Sequence, residues 1–141
     1  MKTEKRALIV SDGTGPAAAL AENIVAALAG LYHTRLVRAA EFSATDLLPA
    51  EVCFFGCTAP NPPSFAHFAE VLGHINLAGR RCGLFAPGSG ETAGYLEALV
   101  RDSEIVVHPG IMTEPAPGRE ELRAWVQDVC GEVYHDKTIR S

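Results

Sequence analysis

Short apolar runs alternate along this chain with longer segments whose apolar residues recur at helical spacing. Runs of four or five apolar residues between turn residues are typical of strands buried on both faces, so the alternation predicts an α/β fold with a parallel sheet covered by helices on both faces. Five strands are predicted, at Ala7 to Val10, Arg35 to Arg38, Val52 to Gly56, Cys82 to Ala86 and Ile105 to Val107.

Four helices are predicted among these strands. The first, Ala17 to Ala29, is rich in Ala and Leu, follows Pro16 and stops at Gly30, which are favoured start and stop residues. Capping residues or acids in the first turn mark the other three, at Ser64 to Leu72, Glu91 to Arg101 and Arg119 to Val129.

Composition limits the classes of protein to consider. The 141 residues, 48% hydrophobic and 21% charged, predict one domain over residues 1–141, with a loose polar tail at about 134–141. The net charge of −5 and the scattered Lys and Arg argue against nucleic-acid binding. No apolar run has the length of a membrane span, and residues 2–6 are polar, so we expect a cytoplasmic protein without a membrane partner.

The four cysteines are Cys53, Cys57, Cys82 and Cys130, and no two of them form a C-x-x-C pair. Buried structural thiols are therefore expected, and no metal site is predicted. Cys57 is the one to inspect, because it lies where a strand ends and a ligand loop begins.

Three loops rich in Gly, Pro and small polar residues follow the first, third and fourth strands, where ligands bind in parallel α/β sheets. The first loop is Ser11 to Pro16, the second Cys57 to Pro63 and the third Pro87 to Thr92. The first loop leads into a helix, so its backbone N–H groups and the helix dipole predict a phosphate-bearing ligand. The carboxylate of Asp12 would repel an anion unless it points away.

The chain resembles flavodoxins over nearly its whole length. Ala7-Leu8-Ile9-Val10 with Thr14-Gly15 looks like the family's first strand and phosphate loop, and Phe54-Phe55-Gly56-Cys57-Thr58 is similar to its third strand and the loop beside the flavin. Cys82-Gly83-Leu84-Phe85 resembles the fourth strand, and the closing strand and helix resemble those of the shorter-chain members. The resemblance implies a flavodoxin-like three-layer sandwich with strand order 2-1-3-4-5.

The resemblance also implies a function. A flavodoxin binds FMN non-covalently and exchanges electrons with a partner oxidoreductase, as a monomer or weak dimer, and is an electron carrier rather than a stand-alone enzyme with catalytic side chains. The cofactor-binding residues implied for this chain are Asp12, Gly13, Thr14, Gly15, Pro16, Ala17, Thr58, Ala59, Pro60, Asn61, Pro87, Gly88, Ser89, Gly90 and Tyr95.

The loops depart from the family pattern, and this leaves two further hypotheses open. Of the family's phosphate loop, T-x-T-G-x-T, only Thr14 and Gly15 fit, with Pro16 and Ala17 in the last two places and the loop about one residue short, so two hydroxyl donors are missing. The second loop is short and has Pro60 where Trp is frequent, while Phe65 is expected in the core and Tyr95 is a candidate for stacking on the flavin. One alternative is a flavodoxin fold that has lost FMN and serves as an accessory subunit of a reductase; the other is a small FMN-dependent reductase.

Overall fold

The computed structural model of the protein describes residues 5–88 and 90–131. The predicted tail at 134–141 and Ser89 of the third loop lie outside the described residues. Within the described ranges, no helix is both long enough and apolar enough to cross a membrane.

Five parallel strands form one sheet in the order β2-β1-β3-β4-β5, which confirms the predicted fold class and strand order. The apolar centre of the sheet is β1, β3 and β4, and β2 and β5 are its edges. Their bounds are β1 Arg6–Ser11, β2 His33–Arg38, β3 Val52–Gly56, β4 Arg81–Phe85 and β5 Val106–Val107.

The α-helices among the described residues are α1 Gly15–Leu28, α2 Ala44–Leu47, α3 Ala66–Leu72, α4 Gly90–Val100 and α5 Arg119–Cys130. The short α2 was not predicted, although Ser43 and Asp46 form a capping box at its start. The helix predicted from Ser64 begins later, because a 3-10 turn at Pro63–Phe65 precedes α3 and Ser64 lies within that turn.

Successive residues of β1 point to opposite faces of the sheet and so contribute to two buried clusters. Leu8 and Val10 belong to a cluster that α3 and α4 cover, whereas Ala7 and Ile9 belong to a cluster that α1 and α5 cover. The helices therefore lie on both faces, as the three-layer sandwich requires. Trp125 of α5 packs against a phenylalanine of β3 and donates from Nε1 to the Gly110 carbonyl over 2.6 Å.

Candidate functional site

The first and second loops start side by side, because Ser11 at the end of β1 pairs with Gly56 at the end of β3. Because Gly56 has no side chain, the ring of Phe85 in the neighbouring strand β4 can pack against its backbone. A Cβ at this position would lie 2.1 Å from the ring of Phe85 in β4, so the carboxyl ends of the three central strands pack tightly. The sequence placed the ligand site at this edge of the sheet.

Two glycines shape the first loop. Gly13 and Gly15 have φ of +79° and +60°, values that side chains disfavour, and the extended Thr14 lies between them. The N–H of Gly13 donates to Ser11 Oγ over 3.0 Å, and the N–H of Thr14 donates to Asp12 Oδ1 over 3.3 Å. The loop thus uses its own side chains as acceptors for N–H groups that the sequence assigned to a phosphate.

Asp12 points toward the second loop and not away from the site. Its Oδ2 accepts the N–H of Thr58 over 3.0 Å, while its Oδ1 accepts the N–H of Thr14. The carboxylate therefore joins two loops that are 46 residues apart in the chain. A negative charge just ahead of α1 is also stabilised by the dipole of that helix.

The side chain of Thr58 forms hydrogen bonds with the first turn of α1. Its hydroxyl oxygen accepts the N–H of Ala17 over 3.3 Å and donates to the carbonyl of Thr14 over 3.1 Å. The methyl group of Ala17 is fully buried in the core, so this residue offers the site only the backbone N–H that Thr58 already accepts. Pro16 has no N–H to offer.

The second loop is exposed at Ala59, Pro60 and Asn61, and Asn61 has a φ of +52°. The preceding Cys57 is buried. Burial, with a smaller contribution from the Asp12 carboxylate, raises the pKa of the Cys57 thiol to about 12. Cys57 is thus a neutral buried thiol at neutral pH, in keeping with the structural role expected for the cysteines.

A segment that the sequence did not implicate holds the third loop. Pro87 is buried, Gly88 is exposed with a φ of +84°, and Gly90 begins α4. The N–H of Gly88 donates to the carbonyl of Thr113 over 2.7 Å, because residues around Met112 run beside the end of β4. In the sequence, this segment is marked only by the two apolar residues Ile111 and Met112 that precede Thr113.

Tyr95 lies half-buried on α4, against the core cluster. Its ring centroid is 6.3 Å from that of Phe65, and its hydroxyl oxygen is buried without a hydrogen-bond partner among the described residues. Burial raises the pKa of this hydroxyl. Phe65 is fully buried, as expected, and its ring is not available to a ligand. A flavin-stacking role for Tyr95 stays a prediction.

Arg38 also lies at this edge, although it was not among the site residues predicted from the sequence. A Cβ added to Gly13 would lie 2.5 Å from Arg38 Cδ, so the stem of the Arg38 side chain covers the first loop. Arg38 ends β2, which neighbours β1, and the strand order alone could have placed it here. It brings a positive charge close to the first loop.

The donor set at this edge does not fit the phosphate of FMN. Five backbone N–H groups at this edge, those of Gly13, Thr14, Ala17, Thr58 and Gly88, already donate to atoms of the protein. A phosphate in contact with these groups would also lie beside the Asp12 carboxylate. Two unit charges 4 Å apart repel by about 4 kcal/mol at an effective dielectric constant of roughly 20.

Four clefts of 390 to 540 Å³ are lined entirely by residues outside the three loops. Among the residues that the structure describes, no three His, Cys, Asp or Glu side chains come together in a way that would hold a metal ion.

No protein-family model matches the sequence, and no curated protein matches it. Among solved structures, a short-chain flavodoxin associated with a non-canonical PDU bacterial microcompartment is 14% identical, with a TM-score of 0.75 over 91% of this chain and 97% of that one. Oxidised flavodoxin 2 from Bacillus cereus is 19% identical, with a TM-score of 0.75 over 91% and 99% of the two chains.

A third similar structure is two-electron reduced Megasphaera elsdenii flavodoxin, which is 25% identical, with a TM-score of 0.62 over 87% of this chain and 98% of that one. The likeness extends over most of each chain in all three comparisons. The protein therefore has a flavodoxin-like fold, as the resemblance in the sequence implied.

Proposed function

We propose that this protein is a flavodoxin-like accessory subunit that works without bound FMN and docks on a partner oxidoreductase. The observation that carries the proposal is that side chains of the protein already occupy the backbone N–H groups of the first loop and the start of α1. Asp12 and Thr58 accept the N–H groups of Thr14 and Ala17, which a flavin phosphate would need.

The outer parts of the loops supply the docking surface in this proposal. Pro16, Pro60 and Pro63 are exposed and hold the edge stiff without a partner, which lowers the entropy that binding would cost. The oxidoreductase, the cytoplasmic location and the monomeric or weakly dimeric state are proposed from the resemblance to flavodoxins.

A second candidate function is that of an FMN-binding electron carrier. The observation that favours it is the likeness of the whole fold to flavodoxins described in oxidised and two-electron reduced forms. This candidate requires the Asp12–Thr58 and Thr58–Ala17 hydrogen bonds to open before a phosphate can reach the start of α1.

Titration with FMN separates the two candidates. The purified protein is first examined for visible flavin absorption, and FMN is then added while the quenching of its fluorescence is followed, with heat-unfolded protein as the control. We expect no saturable binding up to about 100 µM FMN. A dissociation constant above that value would be far too weak for an FMN-dependent electron carrier. Saturable binding at micromolar concentration would refute the proposed function and establish the electron carrier.

A further inference from the structure

We infer that Asp12 is a built-in anion that takes the place of a ligand phosphate at the first loop and excludes phosphate-bearing ligands from it. The inference rests on the proposed function and adds the residue that determines it. Backbone N–H groups of two different loops converge on this one carboxylate, which is how protein loops hold a bound anion.

The position of the carboxylate supports this role. Asp12 is half-buried and lies just ahead of α1, where a negative charge is favoured by the helix dipole. Its two oxygens receive hydrogen bonds of 3.3 and 3.0 Å, so both are engaged by the loops. An aspartate that served only to cap its own turn would bond to Thr14 alone, whereas this one also holds Thr58.

Thr58 links Asp12 to the start of α1, so that both contribute to excluding a phosphate. Its N–H bonds to Asp12, and this contact sets the position from which its hydroxyl oxygen accepts the N–H of Ala17. Replacing the carboxylate by a neutral side chain therefore eliminates the like charge, weakens the hydrogen bonds from the N–H groups of Thr14 and Thr58, and with them the hold on Ala17. Each change favours an incoming phosphate, so we expect at least a tenfold gain in affinity.

The test compares Asp12→Ser and Asp12→Asn with the wild-type protein. Both variants lose the charge, and Asp12→Asn keeps the shape of the side chain in case Asp12→Ser does not fold. Asp128→Ser is the matched control, because it makes the same change of charge at an exposed residue in the last turn of α5, away from the first loop. Circular dichroism and the melting temperature establish that each protein is folded.

The probes are FMN, riboflavin, which lacks the phosphate, and inorganic phosphate as a competitor. We expect an Asp12 variant to bind FMN at least tenfold more tightly than the wild type and the Asp128→Ser variant, with inorganic phosphate competing and riboflavin gaining nothing. If the wild type and both folded Asp12 variants bind FMN equally weakly, the inference is wrong while the proposed function stands. Equal gains for riboflavin and FMN would also overturn it, because the gain would not concern the phosphate.

Tight FMN binding by the wild type would instead refute the proposed function. It would refute the inference too, because the charged side chain would then not exclude the phosphate. The wild-type titration and the comparison of variants thus fail in distinguishable ways.

Discussion

Replacing Thr58 with valine tests directly whether the first loop is closed. Valine has nearly the shape of threonine but lacks the hydroxyl group that accepts the Ala17 N–H and donates to the Thr14 carbonyl. Two hydrogen bonds with net contributions of about 0.5–1.5 kcal/mol each are lost, and one part-buried N–H remains without an acceptor. The variant should therefore unfold with a free energy about 2 kcal/mol lower than that of the wild type.

Urea unfolding at 25 °C measures this difference, with the fluorescence of the single Trp125, which is buried, as the signal. Thr113→Val is the control, because its side chain is exposed and the substitution should stay within about 0.5 kcal/mol of the wild type. A Thr58→Val variant as stable as the control would show that this hydroxyl does not hold the start of α1 in solution. The proposal that Asp12 acts on Ala17 through Thr58 would then be wrong.

Further stability predictions follow from the packing. Gly56→Ala should lower the free energy of unfolding in urea by about 3 kcal/mol, because its Cβ would meet the Phe85 ring at 2.1 Å; a loss below 1 kcal/mol would contradict the tight edge. Gly94→Ala should raise it by about 1 kcal/mol, because Gly94 lies inside α4 with nothing within 4 Å, and a decrease would contradict this. The four cysteines are buried, so a thiol reagent at pH 8 should label them only after urea is added. Burial raises the pKa of Cys53 and Cys57 from 9.0 to about 12, so the folded protein keeps protons that the unfolded chain loses. Stability should thus fall between pH 9 and 12 in urea titrations, and an unchanged value would refute the assignment.

The pattern of apolar residues predicted the layers of the fold well, because buried strands and long helices leave strong local signals. All five predicted strands are present, although β5 is shorter, and the resemblance to flavodoxins supplied their order. The short α2 was missed because four residues carry too little periodicity, and only the Ser43-to-Asp46 spacing marked it. The sequence thus predicted the strands and long helices, because their formation depends on local propensity and on burial of an apolar face in the layered core.

The positions of the three loops were predicted from the sequence, but their contacts with one another were not. The three loops lie where the sequence placed them, but the direction of the Asp12 carboxylate depends on Thr58, which is 46 residues away. The roles of Arg38 and Thr113 likewise arise from neighbouring strands and from a return of the chain beside β4. Such long-range contacts leave no spacing signal in one sequence, so the sequence alone did not show whether Asp12 faces the ligand site or turns away.

A parallel sheet of this kind carries backbone N–H groups at its carboxyl edge that need acceptors, and in a flavodoxin-like fold without a bound phosphate either water or the protein itself supplies them. Here Ser11, Asp12, Thr58 and Thr113 do so. The same hydrogen bonds that stabilise the protein without a ligand must break before a phosphate can bind. Stability and phosphate affinity are therefore opposed at Asp12, and the variant that binds FMN best should also be less stable than the wild type when FMN is absent.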